Sequence, residues 1–394
     1  MTFAETRITP EQLAPITFVG NARCYHTMDW YRTVRHIVDG RVPVNFLTDL
    51  VDSEDHCILV SDTDRIGHLV IVDRFLFPTQ SKMGGKWRNF VKLAFVPLQA
   101  LALRKYYVSH RSHIFHAHTM YYFLVCWVAG VPFIGTPQGS EVLVRPFRSK
   151  SYRDMAKRLL AAARLVTVDS IAMRDGVARL AGIGAVVIQN GIDVAAAVPK
   201  GDRPRTRIVS IRGMTDLYRI IEIVASRNKF ATDTKLDLIY PFWDVEYRAS
   251  AEALLREGDV DHARIERAQM YELLQSAIMA VSVPQSDSSP RSVYEAIFAG
   301  TAVATVAASW IDALPACMRS RLIIVDLNDP AWFAKALDRA RVIVASAYVP
   351  SRAAVQTFSQ EHSIRKAVGL LYGKMGGGSA GNDERFRTGS AGSN

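Results

Sequence analysis

The sequence has little cysteine. Its four residues, Cys24, Cys57, Cys126 and Cys317, are widely spaced with no C-x-x-C pair. That excludes a disulfide scaffold and a zinc site of familiar spacing, and it fits a reducing compartment. Neither G-x-G-x-x-G nor G-x-x-x-x-G-K-[S/T] occurs, so hydride transfer and P-loop chemistry have no motif behind them. A membrane-spanning run is also missing. The nearest approach, MYYFLVCWVAGVPFIGT at 120–136, contains Gly130, Pro132 and Gly135 and falls short of the roughly 20 apolar residues a spanning helix needs. It reads as buried helix, turn and buried strand. The first residues, MTFAETRITPEQ, place acids and a proline before any apolar run, unlike a secretory signal. The expected location is cytoplasmic.

Residues 74–140 lack acid altogether. Eight bases fall there: Arg74, Lys82, Lys86, Arg88, Lys92, Arg104, Lys105 and Arg111. The chain carries 48 bases and 38 acids, a net +10, so most of the surplus sits in this segment. A field of one sign attracts an acidic partner: anionic lipid, nucleic acid or a phosphorylated substrate. No nucleic-acid-binding module appears, so nucleic acid is not expected. Residues 86–104, KWRNFVKLAFVPLQALALR, form a helical apolar face with flanking bases and Pro97 as a kink or break. Such a segment can lie on an anionic membrane surface through residues 82–111, or face substrate with a solvated basic rim.

What is present is a globular composition, 49% hydrophobic and 22% charged. At roughly 150 residues per domain, 394 residues make two domains. Continuously apolar runs predict strands at 16–19, 57–60, 69–72, 114–116, 133–136, 165–168 and 186–188. A second series follows at 208–211, 235–239, 279–283, 302–306 and 322–325. Short apolar strands separated by helical patterns indicate parallel sheets covered on both faces, an α/β class. Residues 193–207, DVAAAVPKGDRPRTR, read as a linker. The predicted organisation is a Rossmann-like domain at 1–195, a second at 196–350, a helix at 351–374 crossing back to the first, and a mobile Gly/Ser-rich tail at 375–394. Two such halves bind ligand in the cleft they face, at the carboxyl ends of their strands.

The richest stretch is VSVPQSDSSPRSVYEAIFAGTAV at 281–303. A strand runs into a small-residue loop and then a helix opening near Ser289 or Pro290, with serine as cap and proline in the first turn. Gly300 is a normal stop. Free N–H groups around Ser289, Pro290, Arg291, Ser292 and Val293, together with the helix dipole, make an anion site. Asp287 lies in the loop and Glu295 eight residues on. Glu295 can accept both hydroxyls of a ribose whose phosphates sit at the helix start, and Asp287 can accept sugar hydroxyls beyond them. Singly, each acid also reads as a turn former or an exposed helix residue.

The run Ser286-Asp287-Ser288-Ser289-Pro290-Arg291-Ser292-Val293-Tyr294-Glu295-Ala296 resembles the Glu-x7-Glu region of family 4 glycosyltransferases, retaining enzymes of the GT-B fold. His116-Ala117-His118, Gly139-Ser140-Glu141, Val166 to Ser170 and Ile188 to Asp193 resemble further segments of that family in the same order, over roughly residues 110–375. The resemblance implies GT-B, two Rossmann-like domains whose parallel sheets face a central cleft. It implies transfer of a sugar from a UDP- or GDP-sugar to a glycan or lipid-linked hydroxyl in bacterial polysaccharide or glycolipid biosynthesis, with no metal required. Arg212 matches the family's diphosphate-binding arginine. The family's lysine falls at Leu217, so Arg219 is the candidate second cation. The family's later histidine corresponds to His118, placed with Asp287 and Arg212 at the transferred sugar. The first-domain loop GNARCYHTMDWY keeps one glycine. Gly20, Asn21, Arg23, His26 and Asp29, with Glu141, are the candidate acceptor contacts.

His116 and His118 alternate at one strand end, so one is expected toward the cleft and one toward the interior. The pairs Asp62/Asp64 and Asp259/Asp261 lack the strand context of a metal-diphosphate signature and read as structural. A UDP-sugar epimerase on the same fold and a non-catalytic nucleotide-sugar binder are the alternatives.

Overall fold

The computed structural model describes residues 12–374 except 39, 50–60, 62, 71–83, 200, 202, 232 and 288. The side chains of residues 84–86, 88 and 89 also lie outside the description. The strand predicted at 57–60, half of that at 69–72, the tail at 375–394, and Asp62, Arg74 and Lys82 therefore fall outside the described residues.

Among the described residues seven strands form the first sheet: β1 (Ile16–Val19), β2 (Val44–Thr48), β3 (Ile66–His68), β4 (Ile114–His118), β5 (Phe133–Thr136), β6 (Leu165–Val168) and β7 (Val186–Val187). They run in the order β3-β2-β1-β4-β5-β6-β7, all parallel. Six form the second: β8 (Arg207–Ile211), β9 (Leu236–Ile239), β10 (Val260–Ala263), β11 (Ala277–Ser282), β12 (Ala302–Thr305) and β13 (Leu322–Ile324). Their order is β10-β9-β8-β11-β12-β13, again parallel. The central strands are buried along their length, as their apolar runs require. Two strands escape the sequence reading, β2 and β10; β3 lies at 66–68, and the described part of the strand predicted at 69–72, residues 69–70, is a bend.

In each sheet the strand order reverses beside the first strand, at β2-β1-β4 and at β9-β8-β11. A reversal sends the connections after the two middle strands to opposite faces, and their loops part to leave a crevice. The loops after β1, β8 and β11 carry Gly20, Arg212 and Asp287, and His118 is the last residue of β4.

The chain divides into two compact units, Met1–Gln189 with Glu361–Asn394, and Asn190–Gln360. The second unit starts and ends at one point. Ile192 donates its N–H to the Phe358 carbonyl at 2.8 Å, and Gln360 donates to the Ile192 carbonyl at 3.1 Å. Gly191 permits this approach, since a Cβ there would sit 2.3 Å from the Phe358 oxygen. The pairing explains why the helix predicted at 351–374 is two, Arg352–Phe358 and Gln360–Tyr372, broken at the bridging Ser359. The later helix packs in the first unit. Its Tyr372 hydroxyl lies 2.7 Å from His116 Nδ1 and accepts from Trp30 Nε1 at 3.3 Å.

Asp259 and Asp261 are structural. Asp259 takes a fork from Arg227, with both side chains at 2% exposure or less, and accepts the N–H groups of Leu236 and Arg256. Burial opposes the ionised carboxylate, but these donors prevail and hold Asp259 below the usual range. A depressed folded pKa stabilises above the unfolded value of about 4, and that stability is lost as pH falls through the lower folded value. Arg227→Ala strands a buried carboxylate, so its expected cost is about 3 kcal/mol or more by urea unfolding at neutral pH. The deficit relative to the parent should shrink on acidification.

Candidate active site

β8 ends at Ile211, and the next residue, Arg212, is buried. Its Nη1 donates to Ser292 Oγ at 2.8 Å and its Nη2 to Asp287 Oδ2. The guanidinium also lies 4.6 Å from the centre of the Tyr218 ring. One arginine thus ties the loop after β8 to the loop after β11 and to the first turn of the helix Arg291–Phe298. Gln285 donates its N–H to the Leu217 carbonyl at 2.9 Å, closing the same two loops from the other side.

Arg212, Asp287 and Ser292 are therefore brought together. Arg219 is placed differently. It is left-handed, φ 52°, and its Nη1 donates to the carbonyls of Val283 and Pro284 at 3.2 and 3.5 Å. It braces the end of β11. The helix opens one residue later than predicted. Pro290 is the cap, with no side-chain cap bond, and Ser289 instead donates its N–H to Asp287 Oδ1 at 3.2 Å. The Val293 amide is spent on the Pro290 carbonyl. Asp287 thus both grips Arg212 and shapes the turn. Glu295 is buried one and a half turns in, where the Tyr271 hydroxyl donates to its Oε1 at 3.3 Å. Burial, and then the Glu295 charge, push the Tyr271 phenol up, so it stays a donor.

In the first unit, β1 and β4 end side by side, with Val19 opposite Ala117. Gly20 follows β1, and a Cβ there would meet Thr27 Cγ2 at 2.7 Å and His118 Cβ at 3.5 Å, so the loop lies directly on the histidine. Asn21 Oδ1 accepts the Arg23 N–H at 2.9 Å, and Thr48 Oγ1 accepts the Ala22 N–H at 3.3 Å, fixing the turn. His26 is exposed, and Arg23 and Asp29 are half-buried.

The two histidines do not point apart. Residues two apart on a strand share a face, and the His116 and His118 rings lie 4.5 Å from each other among Phe18 and Trp30. His116 is satisfied by Tyr372 and Thr136, at 2.7 Å each. His118 Nε2 is buried with no hydrogen-bond partner among the described residues. Burial, and then the charge of His26, lower His118 to about 3, so it is a neutral imidazole at physiological pH. Thr119 follows with φ 77°, an uncommon conformation for a β-branched residue and a strained link between β4 and the next helix.

Glu141, read as an acceptor contact, has a bracing role. Its Oε2 accepts the N–H groups of Gln138 at 2.9 Å and Met120 at 3.1 Å, locking two helix starts together. The sequence reading did not single out Asp49, which is fully buried just past β2. It accepts from Tyr122, Gln99 and Lys92, the last at 3.2 Å. A lone Asp after an unrecognised strand gave no signal. A hollow of about 360 Å³, lined by Arg32, Arg35, His36 and Arg65 among others, lies at the opposite end of β2.

Residues 74–196 match the model of the family described as Glycosyltransferase Family 4, from an earlier point than the sequence resemblance reached. No curated protein matches the chain. Among solved structures, sucrose-phosphate synthase from Thermosynechococcus elongatus is 15% identical, with a TM-score of 0.67 over 91% of this chain and 95% of that one. HepE of Anabaena, solved with UDP and glucose, is 13% identical, with a TM-score of 0.63 over 91% and 99%. A glycosyltransferase from Rickettsia africae is 14% identical, with a TM-score of 0.60 over 91% and 98%. The segment 74–196 is thus similar to Glycosyltransferase Family 4, and the chain has the GT-B fold.

Proposed function

We propose that this chain is a retaining glycosyltransferase that moves a sugar from a nucleoside diphosphate sugar to a hydroxyl of a glycan or lipid-linked acceptor. Its setting is bacterial polysaccharide or glycolipid biosynthesis, at the cytoplasmic periphery of a membrane. One observation carries the reading: a buried guanidinium held at the head of the helix Arg291–Phe298, with a buried carboxylate, Glu295, lower on that helix. Negative charge builds on the diphosphate as the anomeric bond breaks. Arg212 and the dipole of that helix stabilise it, which is usually the largest catalytic contribution. Glu295 holds the ribose, and Asp287 and His118 position the sugar. A neutral His118 with an open nitrogen suits a hydrogen bond to a sugar hydroxyl. HepE structures in complex with UDP-glucose, and with UDP and glucose, support the donor class.

Arg219 braces carbonyls and Leu217 stands at the lysine position, which favours a second reading, a non-catalytic nucleotide-sugar binder. A thermal-shift panel of UDP, GDP and their sugars tests the donor, because a ligand at 100-fold its Kd adds about 2.7 kcal/mol. The expected result is a rise in Tm with one nucleotide series. No rise with any would remove the donor site. Sugar transfer to a lipid or glycan acceptor separates enzyme from binder.

A further inference from the structure

The helix Gly84–Ser109 has two unlike faces. Val91, Val96, Gln99, Ala100 and Leu103 are buried. Lys92 turns inward with them. Its ammonium pairs with Asp49 and lies 4.1 Å from the Tyr121 ring centre, so it belongs to no solvated rim. The other face is Phe90, Leu93, Ala94, Pro97, Leu98 and Leu101, at the spacing of one helical stripe. Phe90 is 64% exposed, Leu93 57%, Leu98 52% and Leu101 68%. A surface helix normally turns polar residues outward, and a continuous exposed apolar stripe marks an interaction site. Arg104 Nη1 donates to the carbonyls of Ala129 and Gly130, which brings the end of the helix Met120–Val128 alongside. Trp127 and Val128 are half-exposed there.

We propose that this stripe lies in the headgroup–acyl boundary of an anionic bilayer, with Trp127 as an interfacial anchor and Arg104, Lys105 and Arg111 against lipid phosphates. Charge complementarity selects this occupant. The segment 74–140 holds no acid, so a second copy would set like field against like, whereas an anionic surface completes it. The helix lies on the bilayer and does not cross it. It faces Lys92 and Gln99 inward, and no described helix is long and apolar enough to span. The proposal rests on the membrane-periphery part of the function proposed above and not on its donor chemistry.

The test is co-sedimentation with vesicles of phosphatidylcholine and phosphatidylglycerol in equal parts, and with phosphatidylcholine alone. The parent chain binds the anionic vesicles better. Leu98→Glu/Leu101→Glu weakens that binding at least about tenfold, since both positions are exposed and carry the apolar contact. Lys105→Gln/Arg111→Gln weakens it less, and added salt removes that difference. Unchanged binding in the leucine double variant overturns the proposal. So does a lipid-free dimer that this variant dissolves, which would assign the stripe to a second copy. Vesicle binding without any nucleotide-induced Tm shift sinks the donor site and leaves the docking face standing; the reverse pattern sinks the docking face alone.

Discussion

Arg212→Ala lowers kcat/KM for sugar transfer by roughly a hundred- to a thousandfold and leaves both sheets folded. The argument starts from what the guanidinium touches. It is nearly buried, donates to Ser292 at the helix head and to Asp287 in the preceding loop, and stacks on Tyr218. A positive charge fixed there stabilises a diphosphate most when the leaving bond is broken, so its loss falls on kcat more than on substrate affinity. Stability should fall by only about 1–2 kcal/mol, because Asp287 is 17% exposed and water can reach the carboxylate left behind. Arg212→Lys keeps the charge but neither the fork nor the planar stack, so it should recover only a small part of the activity. Asp287→Asn is the contrasting variant. It keeps Arg212 and releases it from a charged partner, so donor affinity should survive while transfer falls. Full activity in Arg212→Ala, with a folded protein by circular dichroism, would end the assignment of this site.

The parts of the fold that read clearly from sequence were those buried on both faces. β1, β5, β6, β8, β11 and β12 are mostly apolar, their polar residues being small apart from Arg207 at the start of β8, because helices cover both sides of a parallel sheet. β2 and β10 break that rule in different ways. β2, VNFLT, has Asn45 as its second residue, and that amide donates to the Tyr106 hydroxyl instead of packing against hydrocarbon. β10, VDHA, is the edge of its sheet and half-exposed, so nothing demands an apolar run. Local sequence also cannot announce a bridge between distant segments. The break at Ser359 exists because Ile192 pairs there, more than 160 residues earlier in the chain.

The site divides the same way. Asp287, Ser292 and Glu295 stand on one loop-and-helix unit, and their spacing alone placed them near a common helix start. Arg212 is legible through the family resemblance, which matches it to a diphosphate-binding arginine just after a strand. Arg219 and Glu141 both hold backbone groups in the structure, and a charged residue beside a binding loop has two uses. It can meet a ligand, or it can satisfy the stray backbone groups that a strand-to-loop change exposes. Arg219 takes carbonyls and Glu141 takes amides, each matched to its own sign. Telling these uses apart requires knowing which backbone groups lie nearby, and that is a property of tertiary structure.

Glu295→Ala should weaken binding of the preferred nucleoside diphosphate by roughly a hundredfold or more, two charge-assisted hydrogen bonds being worth about 1.5–3 kcal/mol each. The carboxylate is buried and its orientation is fixed by the Tyr271 hydroxyl, so little entropy is lost when a ribose arrives. Glu295→Gln keeps an oxygen for Tyr271 and removes the charge, so it should lie between the parent and the alanine variant. The role can be separated from simple damage with the 2′-deoxy form of the same nucleotide. Parent protein should bind it at least about tenfold more weakly than the ribo form, because a site built to pair a hydroxyl is left unsatisfied without it. The alanine variant, having lost the acceptor, should bind both forms alike, since the two deletions remove one interaction and do not add. If the alanine variant still preferred the ribo form by the parent's full margin, Glu295 would have no part in holding the ribose, and the buried carboxylate would be there only to anchor Tyr271.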